Sequence, residues 1–371
     1  MGSGIYSHDK RITVVIPNYN GREMLRECVS SILAGSVVPQ IIVVDNDSED
    51  GSVQMLKETF PQVQIAPLTA NTGFCHAVNT GIHLTRTPYV MLLNNDTRVE
   101  KDCIAQLLVA AEEDDRIFSV QALMLSMQDA ERIDDAGDMY CALGWAFPMG
   151  KGRRLGGYRP TRRIFSACAG AAIYRMDALK EVGLFDERHF CYLEDVDLGY
   201  RARIFGYDNR LCPEAVVYHY GSASSGEIHN AFKEEMAAGN NLYLLYKNMP
   251  ALQYALNAPL IFLGRAVKRR YFAGKGLGEA YLAGIERGRL LCEADRAGRE
   301  NKRRGLPEHR ESIRREAALD LAPDTKGDVT RLDRFNPLYL GGRISFSPAH
   351  LLNYMKIQLL LWGNLIRRLR A

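Results

Sequence analysis

Three short polar segments, each following a run of apolar residues, carry the side chains best suited to bind a ligand. Residues 17–20 follow Ile16, residues 45–48 follow Val44, and residues 94–96 follow Leu93. A carboxylate or amide directly after a buried strand lies at the carboxyl edge of the sheet, where loops bind ligands. Asn, Asp and Ser are also ordinary turn and capping residues, so one such segment alone would decide little. Three at consecutive strand ends predict a shared binding crevice.

The chemistry of the third segment favours a hard divalent cation. Asn94 and Asp96 supply oxygen donors, which suit Mg²⁺ or Mn²⁺ better than zinc. Too few carboxylates stand here for a closed protein cage, and such an ion completes its shell with phosphate oxygens and water. A diphosphate ligand is therefore implied. The absence of a Walker P-loop and of G-x-G-x-x-G argues against a P-loop NTPase and an ordinary dinucleotide site.

A second acidic cluster contains Glu194, Asp195 and Asp197. Mutual repulsion and partial burial would raise the pKa of at least one of them, as a general base requires. Acidic residues also favour a helix N-terminus, and both interpretations hold if a helix begins near Glu194 with Asp195 facing the crevice. His219 ends another apolar run and is a further candidate metal ligand, although a single histidine is more often structural.

Alternating apolar runs and helical periodicity indicate the elements that would position these residues. The pattern predicts strands at 12–17, 41–44, 63–65, 90–93, 164–174 and 216–218, and helices at 21–33, 53–60, 73–84, 101–113 and 176–182. We expect Thr72 to cap the third helix. The polar, Gly- and Arg-rich residues 150–157 predict an exposed lid or acceptor-binding loop. This alternation is typical of an α/β fold with a mostly parallel, doubly wound sheet flanked by helices.

Composition excludes several classes of protein. The chain has 371 residues, 47% hydrophobic and 25% charged, which excludes disordered and collagen-like proteins. With 47 Lys and Arg against 44 Asp and Glu, the formal charge is only +3, so the total does not indicate a nucleic-acid binder. The eight cysteines form no C-x-x-C pair and fit a reducing compartment. Without an apolar leader or a run of about 18 apolar residues, we expect a cytoplasmic protein, or a peripheral one on the inner face of the plasma membrane.

The last third of the chain differs from the rest. Residues 265–315 are strongly basic, residues 319–348 predict a loosely structured connector, and residues 349–370 have the periodicity of an amphipathic helix with a basic face. We therefore expect an N-terminal tail at 1–10, an α/β domain at 11–248 and a basic helical C-terminal extension at 249–371.

Residues 11–248 resemble glycosyltransferase family 2. The family shows V-x-I-P-x-Y-N, V-D-N-x-S-x-D, N-x-G-F, N-x-D, G-x-F-D-E-x-F-F-x-Y-x-E-D-x-D-L and a distal His, in that order. This chain has VVIPNYN at 14–20, VDNDSED at 44–50, NTGF at 71–74, NND at 94–96, the block at 183–198 and His219. Residues 189–192 read HFCY in place of the commoner F-F-x-Y, which leaves the acidic pair intact.

The resemblance implies a GT-A fold and an inverting transfer from a nucleotide sugar. It makes residues 11–248 the catalytic domain, with a nucleotide-sugar-binding half at 11–115 and an acceptor-binding and catalytic half at 116–248. Asp96 and His219 would hold Mg²⁺ or Mn²⁺, with Asn94 nearby, and Asp195 would be the catalytic base. The remaining residues that the resemblance places at the nucleotide sugar are Pro17, Tyr19, Asn20, Asp45, Asp47, Asn71, Gly73, Asn79, Asn94, Asn95 and Glu194.

Within the family the motifs look most like those of bacterial rhamnosyltransferases, which implies dTDP-rhamnose, or another nucleotide sugar such as a UDP-sugar, as donor. A glycan, or a lipid-linked glycan, would be the acceptor. The C-terminal helices would then contact a membrane surface, or alternatively pack on the catalytic domain or on a second subunit of a homodimer. Other functions left open are a nucleotidyltransferase, a catalytically inactive nucleotide-sugar-binding adaptor and, least favoured by the mixed charges, a nucleic-acid binder.

Overall fold

The computed structural model describes residues 9–157, 162–221, 229–303 and 350–370. Most of the expected tail, the basic pair at 314–315 and the expected connector at 319–348 lie outside the described residues. The chain divides into two units, the first within residues 1–138, 148–180 and 207–224, and the second within 139–147, 181–206 and 225–371. The expected boundary at residue 248 stays a prediction.

The amino-terminal part of the first unit alternates strands and helices as the sequence predicts. The elements are β1 (Ile12–Asn18), α1 (Arg22–Leu33), β2 (Gln40–Asp45), α2 (Ser52–Thr59), β3 (Gln64–Pro67), α3 (Gly73–Leu84), β4 (Tyr89–Leu93), β5 (Thr97–Val99) and α4 (Cys103–Glu112). The interior residues of β1, β2 and β4 are almost entirely buried, because helices cover both faces of a parallel sheet of this kind.

The remaining strands of the first unit extend the sheet. They are β6 (Ile117–Ser126), β7 (Ile133–Asp135), β10 (Arg163–Ile164), β11 (Ala171–Arg175) and β12 (Asp208–His219). The strand order is β10-β12-β6-β11-β4-β1-β2-β3, with β5 beside β12 and β7 beside β6. Four pairings are parallel: β1 with β2, β1 with β4, β2 with β3, and β6 with β12. In contrast, β11 runs antiparallel between β4 and β6. The expected mostly parallel sheet is confirmed, and the antiparallel pairings of β5, β7, β10 and β11 make it a mixed sheet.

Two details of the expected sheet were wrong. Residues 164–174, predicted as one strand, form the separate strands β10 and β11, because residues 165–170 leave the sheet between them. β10 consequently pairs with β12, while β11 inserts between β4 and β6. The ten-residue strand β6 was not predicted at all, although nine of its residues are buried.

The second unit is mainly helical among the described residues. It contains α6 (Glu194–Ile204), α7 (Ala231–Asn248), α8 (Ala251–Gly274), α9 (Gly278–Arg303) and α10 (Leu351–Arg370), and most of the hairpin of β8 (Asp138–Cys141) and β9 (Trp145–Pro148). The helix α5 (Met176–Val182) spans the division between the units. The helix expected at 349–370 and the helical character of the C-terminal region are confirmed. Within the described residues, no helix is both long and apolar enough to span a membrane.

Candidate functional site

Asn18, the last residue of β1, joins the carboxyl ends of three parallel strands. Its Nδ2 donates to Asp45 Oδ1 at 2.9 Å, and its Oδ1 accepts from Asn95 Nδ2 at 2.7 Å. Asn18 and Asp45 are almost fully buried, so these hydrogen bonds are shielded from water. The Asp45 carboxylate also accepts from the backbone N–H of Ser48 at 2.9 Å. The structure therefore brings the three polar segments together in the first unit, as their spacing predicts.

A second group of hydrogen bonds links the end of β2 to the start of α3. Asn46 Nδ2 donates to Asn71 Oδ1 at 3.0 Å and to the Gly73 carbonyl at 3.2 Å. The Thr72 hydroxyl donates to Asn46 Oδ1 at 3.1 Å, and its side chain does not cap α3. Thr72 is the N-cap residue of α3, as expected, but its hydroxyl makes no capping hydrogen bond and is held by Asn46 instead. The helix begins directly after Thr72.

The backbone at two of the predicted donor-binding residues is left-handed. Asn20 has φ 49° and Asp47 has φ 68°, a region that residues other than glycine rarely adopt. Asn20 Oδ1 accepts from the Glu49 N–H at 2.9 Å, and the Asn20 N–H donates to Ser48 Oγ at 2.9 Å. The two loops thus hold each other in a defined shape, while the side chains of Asn20 and Asp47 stay exposed.

Asp96 and His219 meet at the edge of this crevice. His219 Nε2 lies 3.2 Å from Asp96 Oδ1, and the Tyr220 N–H donates to the Asp96 carbonyl at 3.0 Å. The opposite ring nitrogen, His219 Nδ1, lies 2.7 Å from Asp134 Oδ2. Lys151 Nζ lies 2.8 Å from the other Asp134 oxygen. A carboxylate, an imidazole, a second carboxylate and an ammonium group therefore follow one another in a line.

The charges of this line reinforce one another. Burial alone would lower the pKa of His219, but its hydrogen bonds to Asp134 and Asp96 outweigh burial and raise the pKa to about 9. Burial would raise the pKa of Asp134, yet His219 and Lys151 lower it to about 2. Asp134 was missed from the sequence, where the only signal is an adjacent acidic pair, Asp134 and Asp135, before a glycine.

A second group of possible ligand atoms lies in the same unit. The ligand atoms of Asp135, Asp138 and Cys168 all fall within 4.8 Å of one another. Asp135 Oδ1 is already engaged by Gln121 Nε2 at 2.8 Å and by the Gly137 N–H at 2.7 Å. These contacts favour a structural role for Asp135 in closing the turn after β7.

The acidic cluster of the sequence begins α6 in the second unit, at the residue predicted. Glu194 is buried, and its Oε2 has no hydrogen-bond partner within the described parts of the chain. Burial, with the nearby Asp195 carboxylate, raises the pKa of Glu194 well above its ordinary value. Asp195 is half-buried, and its Oδ1 accepts from the Val196 N–H at 2.7 Å. Two adjacent carboxyl groups therefore sit in different environments.

Asp197 has a structural role in a buried charge cluster. Lys247 Nζ lies 2.7 Å from Asp197 Oδ1 and 2.9 Å from Asp186 Oδ2. Arg201 Nε lies 3.0 Å from Asp197 Oδ2, and its other nitrogens donate to the carbonyls of residues 182, 183 and 184. Burial alone would raise the pKa of Asp197, but Lys247 and Arg201 lower it to about 2. Since all these charges are paired, the cluster fixes the start of α6 without exposing a charge to apolar surroundings.

The loop before Glu194 has an unusual backbone that α7 and α9 hold in place. Phe190, Tyr192 and Leu193 have φ values of 62°, 69° and 63°. Asn240 Nδ2 donates to the carbonyls of residues 189, 191 and 192 at 2.8–2.9 Å. Arg287 donates to Asn240 Oδ1 at 2.8 Å and to the carbonyl of residue 188 at 3.0 Å. Neither residue was predicted, because a single Asn or Arg on a helix carries no motif.

The predicted site residues differ in exposure. Tyr19, Asn20 and Asp47 are exposed, as a residue that contacts a ligand can be. Half-buried are Pro17, Asn71, Asn94, Asn95, Asp195 and His219, and buried are Asp45, Gly73, Asn79, Asp96 and Glu194. All lie in the first unit except Glu194 and Asp195, which lie in the second. Their roles stay predictions.

Comparison with known proteins identifies related sequences. Residues 13–183 match the family model "Glycosyl transferase family 2". An N-acetylglucosaminyl-diphospho-decaprenol L-rhamnosyltransferase of Mycobacterium tuberculosis is 27% identical over 241 residues, which are 58% of this chain and 78% of that protein. The low-salt glycan biosynthesis hexosyltransferase Agl10 of Haloferax volcanii is 22% identical over 280 residues, which are 71% of this chain and 86% of that protein.

Among solved structures, the crystal structure of GalNAc-T7 with UDP, GalNAc and Mn²⁺ superposes with a TM-score of 0.53 at 15% identity. The match covers 63% of this chain and 47% of that one, so the present chain spans about half the length of that structure. At this identity the likeness concerns the fold, which is of the GT-A type, as expected. Asp195 and His219 lie beyond the residues that the family model matches.

Proposed function

We propose that this chain, a glycosyltransferase with a family 2 domain, moves a sugar from a nucleoside-diphosphate donor to a hydroxyl group of a glycan with inversion at the anomeric carbon. The observation that carries the proposal is the convergence of the ends of β1, β2 and β4 through Asn18, Asp45 and Asn95. These polar groups are fixed by hydrogen bonds at 2.7–2.9 Å, at the sheet edge where α/β folds bind nucleotides. In this proposal Pro17, Tyr19 and Asp45 hold the base and ribose.

A divalent cation fits the residues at the edge of the crevice. Asp96 Oδ1 and His219 Nε2 are 3.2 Å apart, and once a cation displaces the proton of Nε2 the two atoms form an oxygen and nitrogen donor pair for Mg²⁺ or Mn²⁺. Asp134 holds the other ring nitrogen of His219, which is the usual support of a metal-binding imidazole. Asp96 and His219 would hold the ion, with Asn94 close in sequence. A bound Mg²⁺ or Mn²⁺ would neutralise charge on the departing diphosphate.

We assign the catalytic base to Asp195. Its carboxylate would take the proton of the acceptor hydroxyl as that oxygen forms a bond to the anomeric carbon. The bond from the anomeric carbon to the diphosphate oxygen breaks, and its electron pair stays on that oxygen as the nucleoside diphosphate leaves. Attack opposite the leaving group inverts the configuration, and no covalent intermediate with the protein is needed. Burial and the adjacent Asp195 carboxylate raise the pKa of Glu194, which favours a proton on Glu194 over a second negative charge beside Asp195.

The donor we propose is dTDP-rhamnose, with a UDP-sugar as the other candidate, and the acceptor is a lipid-linked bacterial surface glycan. The support is the 27% identical mycobacterial relative, whose name describes rhamnosyl transfer to a decaprenyl-diphosphate-linked sugar. Enzymes of this kind would act on the cytoplasmic side of the plasma membrane, as peripheral proteins.

A donor screen tests the proposal. Purified protein is mixed with dTDP-rhamnose, UDP-sugars and GDP-sugars in Mn²⁺, Mg²⁺ or EDTA, and binding and nucleoside-diphosphate release are measured. We expect one donor to be consumed in a metal-dependent way. Asp96→Asn should abolish the metal dependence together with most turnover, whereas Asp195→Asn should keep donor binding and lose turnover. The control is Asp115→Asn, whose carboxylate is fully exposed and lies 3.5 Å from Arg175 Nη1, away from the predicted site residues.

The outcomes separate the parts of the proposal. Unchanged turnover in Asp195→Asn would remove that residue from the role of base. Full turnover in EDTA would remove the metal. If a nucleotide sugar binds but is never consumed, the inactive nucleotide-sugar-binding adaptor becomes the better interpretation. If no nucleotide sugar binds under any condition, the assignment of a transfer reaction is wrong.

A further inference from the structure

The helix α8 exposes an uninterrupted apolar face. Over its first 17 residues, every exposed position carries an apolar side chain. The large ones reach high exposure, with Leu252 at 84%, Phe262 at 61% and Leu263 at 55%. The complete exposed set is Ala251, Leu252, Ala255, Leu256, Pro259, Phe262, Leu263, Ala266 and Val267. Surface helices normally place polar residues on such a face, so this one has the pattern of a face that another surface covers.

The helix α10 lies beside α8 and adds to this face. Asn257 of α8 and Gln358 of α10 exchange two hydrogen bonds, at 2.8 and 3.0 Å, and the Trp362 indole N–H donates to Asn257 Oδ1 at 3.2 Å. The large exposed apolar side chains of α10 are Leu351, Leu352, Met355, Leu359, Trp362, Ile366 and Leu369. We call the exposed apolar residues of the two helices the α8–α10 face.

The charges of the two helices have one sign. The sequence of α8 contains four basic residues and no acidic residue, and the sequence of α10 also contains four basic residues and no acidic residue. Arg269, Arg270, Lys356, Arg367 and Arg368 are exposed. An apolar face on two helices whose own charged residues are all basic is complementary to a membrane surface, where anionic headgroups lie above an apolar acyl region.

We propose that the α8–α10 face docks on the surface of a bilayer that contains anionic lipids, with its apolar side chains in the acyl boundary and its basic residues at the headgroups. A second copy of the chain fits less well, since two such faces would bring sixteen basic residues together and neither helix has an acidic residue to pair with them. This inference goes beyond the proposed function, because it does not depend on the sugar or on the catalytic residues.

Vesicle binding tests the proposal without any transfer assay. The chain has two tryptophans, so Trp145→Phe leaves Trp362 as a reporter within the face. That variant is titrated with phosphatidylcholine vesicles and with vesicles of phosphatidylcholine and phosphatidylglycerol, and tryptophan emission and cosedimentation are recorded. We expect binding with a blue shift on the anionic vesicles. Because each basic residue near such a surface contributes about a fivefold factor, binding should fall steeply with salt.

Two variants separate the apolar and the charged contributions. Leu256→Gln with Leu359→Gln should weaken binding to anionic vesicles at least tenfold, and Arg269→Gln with Arg270→Gln should weaken it at least tenfold at low salt. The control is Val109→Gln, an apolar residue that is 63% exposed on α4 in the first unit. The side chains changed in the leucine, arginine and control variants are all exposed, so these changes should leave the thermal midpoint at the value of the parent protein.

Three results would overturn the proposal. The first is equal binding of the wild type and the leucine variant. The second is sedimentation velocity that shows a dimer for the wild type and a monomer for the leucine variant, which would mean that a second copy of the chain covers the face. The third is a Trp362 emission that is already blue in free protein and does not respond to vesicles, which would mean that another part of the chain covers the face. Donor turnover with a water-soluble acceptor should persist in the leucine variant, so failure of docking and failure of the proposed reaction are distinguishable.

Discussion

The substitution Asn240→Ala tests whether α7 holds the loop before Asp195 in its working shape. Asn240 is fully buried, and its two amide hydrogens are shared among three loop carbonyls at 2.8–2.9 Å. The loop contains three non-glycine residues with positive φ, each costing about 1–2 kcal/mol. The contacts of Asn240 and its neighbours offset this cost, so their loss should let the loop relax.

The magnitude follows from the hydrogen bonds. Asn240→Ala removes both amide hydrogens and leaves buried carbonyl groups without a donor, and each such group costs about 1–3 kcal/mol. Water that reaches part of the loop would reduce the total loss of unfolding free energy to about 2–4 kcal/mol. For a chain of 371 residues that corresponds to a decrease of about 3–5 °C in the thermal midpoint. A displacement of Asp195 of about 1 Å should lower kcat about 10²-fold with little change in KM for the donor, because all the predicted donor-binding residues except Glu194 lie in the first unit.

The matched control is Asn241→Ala. The next residue of α7 donates to the Gly144 carbonyl at 2.8 Å and accepts from the Tyr140 hydroxyl at 2.9 Å, so Asn241→Ala removes two side-chain hydrogen bonds of the same helix away from the loop. Thermal unfolding and steady-state kinetics are measured for both variants. We expect both variants to lose stability, Asn240→Ala the more because it also removes the acceptor of Arg287, and a fall in kcat only for Asn240→Ala. If both variants keep the same kcat, Asn240 contributes stability alone and the reasoning about the loop is refuted.

Three further predictions concern the crevice and two buried titratable groups. A Cβ on residue 21 would lie 2.2 Å from Asn95 Nδ2, so Gly21→Ala should weaken nucleoside-diphosphate binding in calorimetry, whereas Gly156→Ala, with open space around it, should not. Burial lowers the pKa of His189 to about 4, so the free energy of unfolding of the wild type should decrease by up to about 3 kcal/mol as pH falls from about 6.5 to 4. In urea unfolding, His189→Phe should not show this decrease. Glu194 should have the opposite pH dependence, because its raised pKa means that the folded state keeps a proton that the unfolded chain releases. The wild type should therefore lose stability relative to Glu194→Gln as pH rises above about 4.5, and equal slopes of stability against pH would contradict this.

The sequence determined the local parts of this protein. The apolar runs and the polar residues directly after them placed the ends of β1, β2 and β4 within one or two residues, because strand burial and turn chemistry depend on neighbours in the chain. The crowded acids placed the start of α6 at Glu194 for the same kind of reason, since a helix N-terminus favours negative charge. The motifs that resemble those of glycosyltransferase family 2 predicted the GT-A fold and a glycosyltransferase activity.

Tertiary structure decided which distant groups became partners. Asp134 lies 85 residues from His219, and Asn240 lies 48 to 51 residues from the carbonyls that it binds, so no local pattern links them. The division of residues 164–174 into β10 and β11 likewise depends on which strands accept each segment. Packing of the whole sheet and of α7 and α9 sets these partners, because a hydrogen bond between remote residues exists only once the elements carrying them have been brought together.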